Sequence, residues 1–140
     1  MRLVKIFDHG EVKNDLLYNQ LQELDTKVFP NCGDEFLSNR VWWAMEDEGK
    51  IIAYCGCILS EGVCIFNRAW VHRNFRGNGF QSKMIKARLS KANGLAYVAI
   101  TYTTFDNVHS ANNLIKNKFT LYSPMYAYAG GDKLYFKKEF

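Results

Sequence analysis

The segment that most restricts the fold of this chain is a strand-like stretch that leads through a glycine pair into a helix. Residues 63–71, VCIFNRAWV, mix β-branched and aromatic side chains, which are enriched in β-strands. Residues 79–92 have helical periodicity, and residues 96–104 have the composition of a further strand. The apolar stripe of the helix is Phe80, Met84, Ile85, Leu89 and Ala92, while Lys83, Lys86 and Arg88 are expected mostly on its solvent side. This order predicts a right-handed βαβ crossover at the centre of an α/β protein.

The remaining segments add strands and helices around this unit. Periodicity and turn residues predict a strand over residues 1–7, a helix over 11–29 that Pro30 ends, a loop and a short second helix through Asn39, a hairpin over 41–59, a helix over 109–117 and a final hairpin around residues 130–132. The first hairpin turns at residues 46–49, EDEG, whose carboxylates are expected to face water. The chain is predicted to form one α/β domain, residues 1–140, with a mixed sheet of six to seven strands and helices on both faces.

The composition limits the classes of protein to which this chain can belong. The chain is 48% hydrophobic and 15% aromatic, as in globular proteins, and none of its apolar runs reaches the ~18–20 residues of a membrane helix. Residues 1–7 carry charges and no cleavage-site pattern, which predicts a cytoplasmic protein. A net charge of +4 fits a solvated surface, or a basic patch for nucleic acid or a phosphorylated ligand. A nucleic-acid-binding module is the weaker interpretation, because the sequence has no clustered basic stripe or recognition motif.

The cysteines do not have the spacing of a metal site. Cys32, Cys55, Cys57 and Cys64 form no C-x-x-C pair, and no histidine lies at ligand spacing from them. Cys55 and Cys57 are two residues apart in a predicted strand, so they are expected on one face of it as small buried side chains. No bound metal is expected.

The connection between the central strand and its helix has the features of an anion site. Gly77 and Gly79 remove Cβ atoms where a ligand would approach the backbone. The following helix offers unpaired N–H groups and the positive end of its dipole, and Arg76 can add a charge-assisted hydrogen bond. The spacing excludes a Walker-type P-loop and a dinucleotide-binding fingerprint. The loop therefore suits a pyrophosphate bound at a helix N-terminus.

This loop resembles the coenzyme A loop of the GNAT acetyltransferases, [QR]-x-x-G-x-[GA]. Arg76 and Gly79 occupy its first two fixed positions, and Gln81 stands where the last Gly or Ala is usual. Asn107-x-x-Ser110, with Lys118-Phe119 downstream, resembles the second motif of the family, and both hairpins occupy family positions. The resemblance implies the GNAT (acyl-CoA N-acyltransferase) fold and an N-acetyltransferase that uses acetyl-CoA as co-substrate and a primary amine as acceptor.

The resemblance also implies which residues bind coenzyme A. The amides of residues 77–82 would hold the pyrophosphate, and the backbone around Trp70 and Val71 would pair with the pantetheine arm as an added strand would. The implied set is Trp70, Val71, Arg76, Gly77, Asn78, Gly79, Phe80, Gln81, Ser82, Asn107 and Ser110. Asn107 also fits a helix cap. Neither a membrane nor a nucleic-acid partner is expected, and a homodimer is compatible with the sequence.

The usual catalytic positions of the family are filled differently in this chain. Residues 63–71 contain no carboxylate to act as base, and Leu114 stands where many members have a tyrosine acid. Tyr122 and Ser110 are the candidates for donating a proton to the departing thiolate, whose pKa is near 8.5 by analogy with cysteine. Further acid–base candidates are His109 and His72, for which a capping, surface or loop role is the simpler interpretation, and Glu61, which could approach the acceptor from a neighbouring turn.

The acceptor is expected to enter between the first helices and the final hairpin. The aromatic residues of these segments, which suit a stacked acceptor or the core, are Phe29, Phe36, Trp42, Trp43, Tyr122, Tyr126 and Tyr128. A protein lysine, a protein N-terminus, a small amine and an aminoacyl-tRNA all remain open as acceptors. The alternative to an active enzyme is a GNAT-fold protein that binds coenzyme A or a macromolecular partner without catalysis, because a fold does not guarantee an activity.

Overall fold

The computed structural model describes residues 1–30, 36 and 38–140, and over these residues the chain forms eight β-strands and three α-helices. In chain order they are β1 Arg2–Asp8, β2 Glu11–Val12, α1 Asp15–Val28, β3 Arg40–Asp47, β4 Lys50–Ser60, β5 Val63–Val71, α2 Phe80–Ala92, β6 Val98–Thr104, α3 Val108–Lys116, β7 Thr120–Tyr122 and β8 Lys133–Glu139. The predicted α/β class is confirmed, but the sheet has eight strands rather than six to seven. The additional strand is β2, whose two residues are too few to show the alternation by which a strand is recognised. The predicted short second helix falls mainly on residues outside the described ranges.

Local signals determine where several elements begin and end. The side-chain oxygen of Asn14 accepts a hydrogen bond from the Leu17 N–H at 3.0 Å, so α1 begins at Asp15 rather than at Glu11. The final hairpin is confirmed as the antiparallel pair β7 and β8, although residues 123–132 between them form a long irregular loop. Pro124 lies just beyond β7, and its missing N–H prevents the strand from continuing with a full ladder.

The eight strands form one sheet in the order β2-β1-β3-β4-β5-β6-β8-β7. Neighbours are antiparallel except for β5 and β6, which run parallel because α2 connects them. These two strands pair only over residues 63–65 and 98–100 and then separate. Asn67 is an extra residue of β5 relative to β4, a β-bulge that increases the local twist. We call the resulting space between the C-terminal halves of β5 and β6 the wedge.

Helices cover both faces of the sheet, as predicted. The larger core lies beneath α2 and α3 and includes Phe66, Met84 and Phe136. A second core beneath α1 includes Leu21 and Trp42. The central strands are therefore buried on both faces, which gives the wedge a rigid surround.

Cys55 and Cys57 belong to the core, as predicted, and Cys64 joins them there. Cys55, Cys57 and Cys64 are fully buried in the core beneath α2 and α3. Burial raises the pKa of the Cys55 thiol to about 11, so this thiol is protonated at neutral pH. Cys32 lies outside the described residues.

Arg88 does not lie where the sequence analysis predicted it. It is only 3% exposed, rather than on the solvent side. Its Nε donates to the Met84 carbonyl at 3.2 Å, and its Nη1 donates to the Gly56 and Arg68 carbonyls at 3.5 and 3.4 Å. The guanidinium carbon lies 3.9 Å from the centre of the Phe66 ring, a cation–π contact. The expectation for Arg88 was wrong because Arg88 lies four residues from both Met84 and Ala92, on the apolar face of α2, where its guanidinium meets carbonyls beside the bulge.

Asp8 joins the end of β1 to the end of α2. Its carboxylate accepts hydrogen bonds from Lys5 and Lys91 at 3.0 Å and lies 2.6 Å from Nδ1 of His9. Burial raises the pKa of Asp8, but the hydrogen bonds from His9, Lys91 and Lys5 outweigh it and hold the pKa well below the usual 3.8. A carboxyl group whose pKa is lowered by folding stabilises the folded state above its unfolded-state pKa.

We therefore expect Asp8→Asn to lower the free energy of unfolding by about 1–2 kcal/mol at pH 7. The difference from the native chain should persist down to about pH 4 and shrink below it, as the unfolded and then the folded carboxyl group take up protons. Urea unfolding at pH 7 and pH 3 measures both effects. Asp132→Asn is the matched control, because the Asp132–Lys133 pair is exposed and should contribute little. Equal loss in the two variants would contradict the assignment.

Candidate functional site

The loop before α2 has the backbone of an anion site. A single 3₁₀ turn, Arg73–Phe75, leads from β5 to the glycine pair. Gly77 and Gly79 have φ values of +80° and +76°, a left-handed region that side chains with a Cβ rarely adopt. No heavy atom of the described residues lies within 4 Å of the place where a Cβ on either glycine would stand. Gly79 caps α2 without a side-chain hydrogen bond, so the first-turn N–H groups of α2 remain available to a ligand.

Two side chains brace this loop from within. Nε of Arg76 donates to the Val71 carbonyl at 3.1 Å, and the Asn78 side-chain amide donates to the Phe75 carbonyl at 2.9 Å. The first bond ties the loop to the end of β5, and the second closes the loop on its own 3₁₀ turn. Together these two hydrogen bonds position the glycine pair at the start of α2.

The loop opens onto a cavity of about 670 Å³ between β5, α2 and the start of α3, which we call the first cavity. The residues that the family resemblance implies and that line it are Trp70, Val71, Arg76, Gly77, Gly79, Phe80, Gln81, Ser82, Asn107 and Ser110. Asn78 does not line it and instead supports the loop. The sequence analysis missed Asn113 and Lys116, which also line it. Their spacing from His109 along α3, four and seven residues, would have placed all three on one helical face.

A chain of polar side chains links α2 to α3 across the floor of the first cavity. Gln81 Nε2 donates to Ser110 Oγ at 3.0 Å, and the Asn113 amide donates to Gln81 Oε1 at 2.7 Å. Asn107 caps α3 by accepting from the Ser110 N–H at 3.2 Å, as predicted for a cap. Because Ser110 Oγ already accepts one bond, its own hydroxyl hydrogen is available to another acceptor. Gln81 thus replaces the small residue of the family pattern with a side chain that orients Ser110.

The wedge between β5 and β6 contains another cavity, of about 240 Å³, which we call the second cavity. It shares four lining residues with the first cavity: Ala69, Gln81, Asn107 and Ser110. On the α1 side it is bordered by Phe29, Arg68 and Tyr102. The two cavities therefore adjoin at Ser110, where a ligand in one can meet a ligand in the other.

The candidate acid–base residues are distributed unevenly around these cavities. His109 lines the first cavity, and its Nε2 lies 3.3 Å from the Asn113 amide. His72 accepts a hydrogen bond from the Asn74 N–H at 3.1 Å, a capping role. Glu61 lies in the turn before β5, at the opposite end of that strand from the loop. No aspartate or glutamate of the described chain lines either cavity.

Two tyrosine positions matter for proton donation. Leu114, where many family members have a tyrosine, is 5% exposed and belongs to the core beneath α2 and α3. Tyr122 lines a third cavity with Tyr97, Ile100 and Lys137, and its ring centre lies 5.2 Å from Lys137 Nζ. Among the described lining residues of the first two cavities Tyr122 does not occur. The structure therefore brings Ser110, but not Tyr122, together with the loop.

The physical reason for the position of Tyr122 lies in the strand order. β8 inserts between β6 and β7, so β7 is the edge strand and its Tyr122 pairs with Tyr135. Side chains alternate along a strand, and the neighbouring Phe136 already points into the core beneath α2 and α3. Tyr122 accordingly lies on the opposite face of the sheet from the first cavity.

The sequence matches the model of the acetyltransferase (GNAT) family over residues 10–119, most of the chain. The chain belongs to the GNAT acetyltransferase family. The match spans both the anion loop and the Asn107–Ser110 segment described above. A search among curated proteins found no significant match.

Solved structures show that the whole chain has the GNAT fold. An aminoglycoside 6'-N-acetyltransferase from Enterococcus faecium is 16% identical, with a TM-score of 0.73 over 99% of this chain and 97% of the other. An aminoglycoside 6'-N-acetyltransferase solved with coenzyme A is 14% identical, with a TM-score of 0.73 and the same coverage. A GNAT acetyltransferase from Streptococcus pneumoniae is 11% identical, with a TM-score of 0.70 over 99% and 100%. At these identities the likeness concerns the fold.

As a GNAT domain, the chain has its first cavity in the part of the fold where the resemblance placed coenzyme A. No helix in the described part of the chain is both long and apolar enough to cross a membrane. In the same part, no three histidine, cysteine, aspartate or glutamate side chains gather in a metal-binding arrangement.

Proposed function

We propose that this GNAT domain is an N-acetyltransferase that moves the acetyl group of acetyl-CoA to a primary amine by direct attack on the thioester. The observation that supports the proposal is that the two cavities adjoin at Ser110. The start of α2, where no side chain caps the helix, also borders the first cavity. One cavity offers amides to a pyrophosphate, and the other offers a separate approach for an acceptor. Two substrates that must react directly need such an arrangement.

The residues of the first cavity divide the binding of acetyl-CoA between them. The N–H groups of residues 77–82 hold the pyrophosphate, since they lie at the positive end of the α2 dipole. The β5 backbone at Trp70 and Val71 borders the cavity where β6 has separated from β5, and it pairs with the pantetheine arm there, although the Val71 carbonyl also accepts a hydrogen bond from Arg76. The thioester then lies towards Ser110 and the junction of the cavities.

Ser110 donates a hydrogen bond to the departing sulfur in this proposal, and the sulfur takes up the proton that the nitrogen releases as the amide forms. As the amine attacks, charge develops on the carbonyl oxygen and then on the departing sulfur, and both are stabilised by nearby donors. The Ser110 hydroxyl accepts from Gln81 and is thereby oriented to donate to the sulfur. The amine, with a pKa near 10, must lose a proton before it attacks, and His109 is the candidate base among the residues that line the first cavity.

Calorimetric titration with acetyl-CoA, followed by thiol release in the presence of a panel of amines and peptides, tests the proposal. We expect micromolar binding of acetyl-CoA and turnover with at least one amine. Binding without turnover across the panel would favour a GNAT-fold protein that retains coenzyme A without catalysis, an outcome consistent with Leu114 in place of the family tyrosine. Absence of binding would overturn the proposed function.

A further inference from the structure

The second cavity contains a buried positive charge that lacks a carboxylate partner. Arg88 is only 3% exposed and lines this cavity. Its hydrogen bonds all go to backbone carbonyls, those of Met84, Gly56 and Arg68, the last two at the long distances of 3.5 and 3.4 Å. No acidic side chain of the described residues lies within ion-pair distance of it. Burying an unpaired charge is costly, so a complementary anion in the cavity would be strongly favoured.

A second buried group on the same cavity also lacks a partner. Thr103, on β6, is 6% exposed and lines the cavity opposite α2. Its Oγ1 has no hydrogen-bond partner among the described residues. Buried hydroxyl groups in folded proteins are normally satisfied, so this one points to a group that the cavity receives from outside.

Among the described residues of the cavity wall the Phe66 ring faces Arg88 at 3.9 Å, but no carboxylate offsets its charge. Arg68 also lines the cavity, and it pairs with the buried Asp25, whose oxygen lies 3.3 Å from Arg68 Nε. The opposite charges of Arg68 and Asp25 therefore neutralise each other. The other described lining side chains are neutral, so the cavity as a whole carries an excess of positive charge from Arg88.

We propose that the second cavity binds a carboxylate carried by one of the two substrates, with Arg88 and Thr103 as its partners. A carboxylate can accept from a guanidinium and a hydroxyl at the same time, which would satisfy both groups. The inference rests on the proposed function, because it assumes that substrates meet at the junction of the cavities. The carboxylate arrives on the acyl group of the donor or on the amine acceptor, and its chemistry in the cavity is the same.

Two matched pairs of probes distinguish these sources by calorimetry. Succinyl-CoA is compared with butyryl-CoA, which has the same chain length without the charge. Phenylalanine is compared with phenethylamine on protein saturated with coenzyme A, since Phe29 and Tyr102 border the cavity and suit a phenyl group. We expect at least tenfold tighter binding of the carboxylate-bearing member in one of the two pairs.

The variants assign that preference to the cavity. Arg88→Met should reduce it to less than twofold, and Thr103→Val, which keeps the shape of the side chain, should reduce it severalfold even if Arg88→Met does not fold. Lys86→Met, on the exposed side of α2, is the control and should leave the preference unchanged.

Equal affinity within both pairs, in a protein that binds acetyl-CoA, would overturn the carboxylate site and leave the proposed function standing. A preference that persists in both folded cavity variants would also overturn it. Failure of acetyl-CoA itself to bind is a different result, and it would remove the proposed function.

Discussion

Replacing Gly79 by valine is expected to weaken acetyl-CoA binding by at least about 100-fold while the domain remains folded. Gly79 has a φ of +76°, and the position of its missing Cβ faces open space at the start of α2. A valine there would occupy the volume that a pyrophosphate needs against the N–H groups of the helix. It would also strain the backbone by about 1–2 kcal/mol, because a Cβ crowds the following carbonyl in the left-handed region.

Gly94→Val separates these two effects. Gly94 has a φ of +87° and no described heavy atom within 4 Å of its missing Cβ, so the substitution introduces similar strain beyond the far end of α2. We expect similar losses of thermal stability in the two variants, but an acetyl-CoA affinity within twofold of the native value only for Gly94→Val. Calorimetric titration and thermal unfolding of both proteins measure this. Native affinity in a folded Gly79→Val protein would show that the loop does not hold the pyrophosphate.

Replacing Ser110 by alanine is expected to lower kcat by about 10- to 100-fold, with the affinity for acetyl-CoA changed less than threefold. Loss of a positioned hydrogen-bond donor to a developing charge costs roughly 10²-fold or more, and water in an open cavity can replace part of it. The Ser110 backbone N–H, which binds Asn107, is unaffected by the substitution. Ser110→Thr keeps the hydroxyl and should recover most of the rate. Steady-state kinetics with the best amine, together with titration, separates the two effects.

Tyr122→Phe provides the comparison for Ser110→Ala. Because Tyr122 lines the third cavity beside Lys137, removal of its hydroxyl should leave kcat within twofold of the native value. This reverses the expectation drawn from sequence, in which Tyr122 follows the second motif closely enough to reach the sulfur. A large loss of kcat in Tyr122→Phe with a small one in Ser110→Ala would restore the sequence-based assignment.

Features that depend on neighbouring residues could be predicted from the sequence. The start of α2 at the Gly77–Gly79 turn, the cap at Asn107 and the hairpin between β3 and β4 all follow from local backbone preferences and side-chain periodicity. The loop residues that border the first cavity were predicted for the same reason, since a strand, a turn and a helix lie next to one another in the chain.

Features that depend on the pairing of strands distant in sequence could be identified only in the tertiary structure. The insertion of β8 between β6 and β7 moved Tyr122 away from the first cavity, and no local pattern encodes that order. The bulge at Asn67 and the separation of β5 from β6 created the second cavity, and the Gly56 and Arg68 carbonyls beside the bulge accept hydrogen bonds from the buried Arg88. Helical spacing places Arg88 on the apolar face of α2, four residues from both Met84 and Ala92, but the carbonyls that accept from it belong to strands distant in sequence and could be identified only in the tertiary structure.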